Sequence, residues 1–207
     1  MLNQLAGIYL AQGKNAEARP LAERALAISE KAPRPDDLET AAIVNNLATA
    51  DSQQGKLADA ETLFQRALDL TERALAPDNR GVATPLSNLA FLYHSEGKYA
   101  QAEPLYQRAL AITEKALGPN DPGLFHGLTK LAEIYYAQKK YVQAEPLYQR
   151  ALAIAEKAPG PNGSDLAAAL GNYAGLLRDT NRSAEAQKLE ARAEAFAPKA
   201  ATPAASH

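Results

Sequence analysis

The sequence has 207 residues, of which 46% are hydrophobic and 22% are charged, a composition typical of a folded globular protein. Its formal net charge of -2 gives no general attraction to nucleic acid or to an anionic membrane surface. The absence of cysteine excludes disulfides, thiolate metal sites and thiol nucleophiles, and no apolar run reaches the roughly 18 residues that a membrane span needs.

A single unit recurs along the chain with a spacing of 42 residues. One arginine keeps this spacing in every copy, as Arg24, Arg66, Arg108, Arg150 and Arg192. A fixed period of this size indicates a stacked repeat architecture, because each unit needs its neighbours to cover its apolar face. We predict one array over residues 1–197, with repeats at about 1–36, 37–78, 79–120, 121–162 and 163–197, and a disordered tail at 198–207.

Each unit contains two predicted helices, which we name helix A and helix B. In the third unit the apolar residues recur at spacings of three and four, and the stripe is broken at residues 95–98. There Gly97 can take the left-handed conformation of a helix end. Helix B then runs from Tyr99 to about Leu117, where a proline-bearing loop ends it.

Alanine recurs at fixed points of both helices, and we predict that these alanines lie where the helices approach closely. They are Ala6, Ala48, Ala90, Ala132 and Ala174 on helix A, and Ala18, Ala60, Ala102, Ala144 and Ala186 on helix B.

In the third unit, the order Leu-Ala-x-x-Tyr, Gly and Ala-x-x-x-Tyr at residues 89–93, 97 and 102–106 resembles the tetratricopeptide repeat, whose usual unit is about 34 residues. The longer unit, with its Asn-Leu-Ala and Leu-Gly-Pro motifs, is similar to the kinesin-light-chain type, which also occurs in many bacterial proteins. The resemblance implies an all-α, right-handed superhelical solenoid of five helix pairs, in which the A helices line a concave groove. It also leads us to expect a bacterial source.

Two departures from the repeat have structural consequences. Asp51 replaces a tyrosine that three other copies carry, so the second unit must place a carboxylate at an expected core position. The last helix B has Glu190 and Glu194 where the fourth unit has Tyr148 and Leu152, as expected for a helix that ends a stack.

The first helix A has an apolar flank and no preceding turn. This flank carries Leu2, Leu5 and Tyr9, which a polar cap does not cover. We expect either that the chain is a piece of a longer array or that it self-associates through this helix.

The sequence offers little for catalysis. It has no phosphate-binding glycine loop, no zinc-hydrolase motif and no serine elbow. We expect His94 and His126 to lie too far apart to share a metal. We therefore predict no enzymatic activity, no catalytic residue, no metal site and no cofactor.

The concave groove implied by the resemblance would be lined by polar side chains of the A helices. Asparagine amides carry donors and an acceptor, so a row of them can hold the backbone of an extended peptide. The predicted peptide-binding residues are Asn3, Asn45, Asn46, Asn88, Phe91, His94, His126, Lys130, Tyr136, Asn172 and Arg178. The alternative interpretation is that the asparagines bond neighbouring A helices and stabilise the stack. Lys130 and Arg178 would make the C-terminal half of the groove mildly basic and favour an acidic ligand there.

The predicted function is a scaffold that binds a protein or peptide in the cytoplasm, without nucleic acid or membrane partners. One alternative is an architectural or oligomerisation spacer. A second is the sensor segment of a larger signalling protein. An enzymatic function would require an unexpected pocket that gathers His94 with acidic residues.

Overall fold

The computed structural model describes residues 1–33, 36–157 and 163–196, which form ten α-helices and two short 3-10 helices and contain no β-strand. The α-helices are α1 (Leu2–Ala11), α2 (Asn15–Glu30), α3 (Asp37–Gln53), α4 (Leu57–Ala74), α5 (Ala83–Ser95), α6 (Tyr99–Leu117), α7 (Phe125–Ala137), α8 (Tyr141–Lys157), α9 (Gly163–Asp179) and α10 (Ser183–Glu194). The 3-10 helices, Arg80–Val82 and Pro122–Leu124, precede α5 and α7. The predicted tail at 198–207 lies outside the described residues.

The chain divides into two compact units, residues 1–116 and residues 117–207. The first unit contains the hairpins α1–α2, α3–α4 and α5–α6, except the last residue of α6, and the second contains α7–α8 and α9–α10. The predicted all-α fold of five helix pairs is confirmed, because odd-numbered helices correspond to helix A and even-numbered helices to helix B.

The alanines that recur with the repeat are completely buried. All ten of those predicted at helix contacts have no solvent-exposed surface. A methyl side chain allows two helix backbones to approach closely, and larger apolar side chains fill the space on either side. In the first unit these neighbours include Leu89 and Leu92 of α5, which share one buried cluster with Phe64 and Leu68 of α4.

The turn between the two helices of each hairpin contains one residue in the left-handed conformation. These residues are Gly13, Gly55, Gly97, Lys139 and Asn181, and their φ angles lie between 59° and 79°. The prediction for Gly97 is therefore confirmed. The backbone N–H of the residue that follows the left-handed one bonds back to the end of helix A. The Lys98 and Lys140 N–H groups each donate to a tyrosine carbonyl at 2.8 Å.

We predict that Lys139→Gly raises the free energy of unfolding by about 0.5–1 kcal/mol. A side chain with a Cβ is disfavoured in the left-handed region by about 1–2 kcal/mol, and the greater backbone entropy of glycine in the unfolded chain offsets part of this gain. Asn181→Gly is the matched control, with a change near zero, because asparagine tolerates this conformation. Urea denaturation followed by circular dichroism measures both, and an equal effect at the two positions would contradict the argument.

Consecutive hairpins are also joined by polar groups at the rim of the apolar contact. Glu61 of α4 accepts a 2.9 Å hydrogen bond from Tyr93 Oη, and Lys98 Nζ lies 3.2 Å from the same carboxylate. The Tyr93 bond, followed by the Lys98 bond, lowers the pKa of Glu61.

The preceding boundary has a different pair of charges. Asp51 is 1% exposed, as its place in the repeat predicted, and it accepts a 2.6 Å hydrogen bond from Arg19 Nε of α2. Arg19 occupies the position of Glu61 one repeat earlier. The carboxylate in the core is therefore matched by a cation on the adjoining helix.

Tyr148 of α8 is completely buried, and its hydroxyl has no hydrogen-bond partner among the residues that the structure describes. Its ring stacks on Tyr173 of α9 with centroids 5.7 Å apart. Burial raises the pKa of Tyr148. Phe64 occupies the same position two repeats earlier, so a phenyl ring fits this kind of site.

We predict that Tyr148→Phe raises the free energy of unfolding by about 1 kcal/mol, because it removes a buried polar group that has no partner. Tyr173→Phe is the matched control. The Tyr173 hydroxyl donates to Glu145 Oε1 and accepts from Gln149 Nε2, both at 2.9 Å, so its loss should lower stability by about 1–3 kcal/mol. Denaturant unfolding of both variants provides the test, and destabilisation by Tyr148→Phe would contradict it.

Candidate functional site

The asparagines of the first unit bond to each other between consecutive A helices. Asn46 Nδ2 of α3 donates to Asn3 Oδ1 of α1 at 2.7 Å and to the Asn3 carbonyl at 3.3 Å. Asn88 Nδ2 of α5 donates to Asn45 Oδ1 of α3 at 2.6 Å. We call these four residues the asparagine pairs. All four residues are half-buried. Their hydrogen bonds link neighbouring A helices, which is the stabilising role that the alternative interpretation of the asparagines gave them.

The pairs leave part of each amide unused. A side-chain amide carries two N–H donors and an oxygen with two lone pairs, and each pair uses one donor of one residue and one oxygen of the other. Among the described residues, Asn45 Nδ2 and Asn88 Oδ1 make no hydrogen bond. The pairing holds both amides in place, so a donor and an acceptor remain available in a defined orientation.

An apolar cavity of about 400 Å³ lies beside the asparagine pairs in the first unit. It is lined by Leu38, Ala41, Ala42, Asn45, Asn46, Ala67, Thr71, Leu75, Gly81, Thr84 and Pro85. A Cβ at Gly81 would lie 2.6 Å from Leu75 Cδ1, so a larger residue there would require the Leu75 side chain to shift. The cavity was not predicted from the sequence, in which the run of small residues on α3 is a signal for it.

Phe91 of α5 is 52% exposed and lies one turn after Asn88. Both residues line a shallow depression of about 90 Å³ together with Phe64 and Thr49. An aromatic ring thus lies beside the second asparagine pair. His94, by contrast, lies near the turn between α5 and α6, where its ring centroid is 5.7 Å from that of Tyr99.

In the second unit a carboxylate replaces the amide-to-amide contact. Glu133 of α7 accepts a hydrogen bond from Asn172 Nδ2 of α9 at 3.1 Å, and its other oxygen lies 2.8 Å from Lys130 Nζ. Lys130 and Asn172 are therefore brought together through Glu133. The sequence pattern placed Glu133 on the same A-helix face, but did not predict this bridging role.

The other predicted residues of the second unit make contacts within that unit. Tyr136 Oη donates to Asp179 Oδ2 at 3.1 Å, and burial, followed by this bond, raises the Tyr136 pKa. A Cβ at Gly175 would lie 3.0 Å from Tyr136 Oη, so the tyrosine packs across α9 at a glycine. His126 Nε2 lies 3.6 Å from Asp165 Oδ2.

The charges in the second unit differ from the predicted basic groove. Lys130 is paired with Glu133, and Arg178 is paired with Glu190 of α10. Each cation that was expected to attract an acidic ligand therefore has a carboxylate beside it. The predicted preference for an acidic ligand depended on uncompensated positive charge, and these carboxylates compensate it.

The described part of the chain lacks two further features. It contains no group of three or more histidine, aspartate or glutamate side chains placed to hold a metal ion. None of its helices combines the length and the apolar character that crossing a membrane requires.

Comparison with known families places the chain in one of them. Two tetratricopeptide repeat models match it, one at residues 1–73 and 124–199 and the other at residues 82–123. The chain belongs to the tetratricopeptide repeat family, as its motifs predicted. The comparison with curated protein sequences gave no match.

Solved structures support the same fold. BtubC (BKLC) from P. vanneervenii is 22% identical, with a TM-score of 0.84 over 94% of this chain and 78% of that one. A kinesin light chain from Podosopora anserina with nearly identical TPR-like repeats is 24% identical, with a TM-score of 0.78 over 94% and 92%. In the APC/C hetero-tetramer Cut9-Hcn1, the matched chain is 17% identical, with a TM-score of 0.71 over 95% and 33%. The predicted similarity to the kinesin-light-chain type is confirmed at the level of the fold.

The tetratricopeptide repeat fold is in general a scaffold for protein–protein interaction, and its members bind protein partners. The residues that bind a partner must be argued from the site itself.

We predict that Asn88→Ala and Asn45→Ala each lower the free energy of unfolding by about 1 kcal/mol, because each leaves its partner amide without a hydrogen bond. The double variant should lose less than the sum, with a coupling energy of about 0.5–1.5 kcal/mol. Asn46→Ala combined with Asn88→Ala is the control and should be additive, since these residues belong to different pairs. Additivity of both combinations in urea denaturation would show that the Asn45–Asn88 bond contributes nothing.

Proposed function

We propose that this protein is a scaffold that binds an extended segment of a partner protein on the A-helix face of its first unit. The observation that carries the proposal is the juxtaposition of ordered amides and an apolar cavity. Asn45 and Asn46 belong to the asparagine pairs and also line the cavity of about 400 Å³. The proposal includes no reaction of the protein's own and no cofactor.

The two features suit the two parts of an extended peptide. Its backbone presents N–H and C=O groups, which can pair with Asn88 Oδ1 and Asn45 Nδ2 regardless of the peptide sequence. Its side chains alternate in direction, so one apolar side chain can enter the cavity while the next points away. The amides would thus supply general affinity, and the cavity would select a peptide with an apolar anchor.

Phe91 extends this surface. Its exposed ring offers an apolar contact next to Asn88, which suits a second apolar side chain of the segment. Ordering a flexible segment offsets much of the free energy gained by contact, so we expect modest affinity.

In the second unit we assign a weaker binding role to Lys130, Asn172 and Tyr136. Their contacts with Glu133 and Asp179 hold them in place and also occupy their polar groups. Binding roles for His94, His126 and Arg178 and the cytoplasmic location stay predictions.

We predict that peptides selected from a displayed library on the wild-type protein bind the double variant Asn45→Ala plus Asn88→Ala about tenfold more weakly. Each alanine removes hydrogen-bonding capacity toward the peptide backbone, and the loss of about 1.4 kcal/mol corresponds to that factor. Fluorescence anisotropy of labelled peptides measures the affinity, and circular dichroism checks that the variant is folded.

A variant of the cavity wall tests independently whether an apolar side chain of the peptide enters the cavity. Ala42 is exposed and lines the cavity, so Ala42→Leu should narrow it and weaken binding. Ala100→Leu, at an exposed position on α6 outside the cavity, is the matched control and should change nothing. If binders are found and both the asparagine and the cavity variants bind them with unchanged affinity, this surface has no recognition role.

A further inference from the structure

The first helix presents apolar side chains to solvent at positions that are buried in every later repeat. Leu5 is 39% exposed and Ile8 is 53% exposed. The residues at the same positions in the later A helices are Leu47, Leu89, Leu131 and Tyr173, and Ala50, Leu92, Ile134 and Leu176, all at most 6% exposed. The exposed face of α1 therefore has the chemistry of a contact surface.

Within each unit, the structure shows what covers this face of an A helix. Phe64 and Leu68 of α4 share a buried cluster with Leu89 and Leu92 of α5. In the second unit α8 packs on α9, and its Tyr148 stacks on Tyr173. At these two boundaries the cover is a helix with an aromatic residue and a leucine four positions later, which lie on the same helix face. At the α2–α3 boundary, Ala22 and Leu26 stand at the same two positions.

A glutamate on the covering helix completes the contact. Glu61 of α4, three residues before Phe64, bonds with Tyr93 Oη and Lys98 Nζ. Glu145 of α8, three residues before Tyr148, lies 2.6 Å from Arg182 Nη1 at the turn of the next hairpin. Helices α4 and α8 thus share the pattern Glu-x-x-(Phe or Tyr)-x-x-x-Leu. Helix α2 has Arg19 in place of the glutamate, because it faces Asp51 of α3 where α5 has Tyr93.

Helix α1 and the turn after it carry the tyrosine and the lysine of this arrangement, but among the described residues no helix covers them. Tyr9 and Lys14 occupy the positions of Tyr93 and Lys98, and Lys14 Nζ lies 5.7 Å from the Tyr9 ring centre, compared with 5.5 Å for Lys98 and Tyr93. Lys14 has no carboxylate partner among the described residues. An incoming glutamate would therefore meet an unpaired cation.

The last helix of a second copy does not match this surface. At the aromatic and leucine positions α10 carries Glu190 and Glu194. Packing these carboxylates against Leu5 and Ile8 would remove them from water without a cation at the apolar centre of the contact. Head-to-tail stacking of two copies through α10 and α1 is therefore disfavoured.

We infer that the exposed face of α1 is a docking site for a helix of a partner protein that carries the pattern Glu-x-x-(Phe or Tyr)-x-x-x-Leu. The aromatic residue and the leucine cover Leu5 and Ile8, and the glutamate pairs with Lys14 and Tyr9. This site is separate from the asparagine pairs and their cavity.

The test uses the 207-residue chain and a labelled synthetic peptide with the sequence of α4, residues 57–74, as the probe. We expect saturable binding in fluorescence anisotropy. Ile8→Glu should weaken it at least about tenfold, because it places a carboxylate in the apolar contact. A control peptide with Phe64→Glu and Leu68→Glu, which copies the two glutamates of α10, should not bind.

A charge exchange tests the polar half of the contact. Lys14→Glu in the protein should weaken binding of the unchanged peptide about three- to fivefold, and a peptide with Glu61→Lys should recover that loss. Ile8 and Lys14 are exposed, so the variants should fold, which circular dichroism checks. Peptides selected by the asparagine surface should bind the Ile8→Glu variant normally.

Three outcomes would overturn the inference. The first is no binding of the α4 peptide to the wild-type protein. The second is binding that Ile8→Glu leaves unchanged, which would place the peptide elsewhere. The third is a dimer in analytical ultracentrifugation that Ile8→Glu converts to monomer while the peptide fails to bind, which would assign the face to a second copy.

Discussion

The burial of a small side chain at the same point of every helix is the constraint on which the rest of this structure depends. Ten alanines, two in each hairpin, are completely buried at matching positions. A methyl side chain allows two helix backbones to approach closely, and a larger side chain at these points would overpack the helix pair. The covering residues Phe64 and Tyr148 then meet the next A helix in equivalent places, and the asparagine pairs of the first unit form between A helices that are held in register.

Departures from the repeat are compensated by nearby residues. Asp51 would be an unpaired charge in the core, and Arg19 on the adjoining helix removes that cost. Lys139 takes the left-handed conformation that glycine takes in three other hairpins, and here the cost of backbone strain remains. Each change concerns a single hairpin or a single boundary, as expected for an architecture in which every repeat contacts mainly its neighbours.

The asparagines of the first unit have a structural role, and we propose that they also bind a partner segment. The Asn88–Asn45 bond links α5 to α3 and holds both amides, which leaves a donor and an acceptor beside an apolar cavity. In the second unit Glu133 occupies the polar groups of Lys130 and Asn172 more fully. The two units therefore present different chemistry on equivalent helices, and the proposed binding surface lies on the first. The exposed face of α1 is a separate surface with its own apolar centre and cation.

The sequence by itself determined the helix pairs, the left-handed turn at Gly97, the buried alanines and the carboxylate of Asp51 in the core. These features follow from local patterns, namely apolar spacing along one helix, a glycine at a helix end and a residue type that recurs with the period. Only the tertiary structure decided that Asn46 bonds to Asn3, that Lys130 and Arg178 are paired with carboxylates and that a cavity opens beside Asn45. These contacts join side chains from different helices, so they depend on the separation and rotation of packed helices, which residue spacing along the chain does not specify.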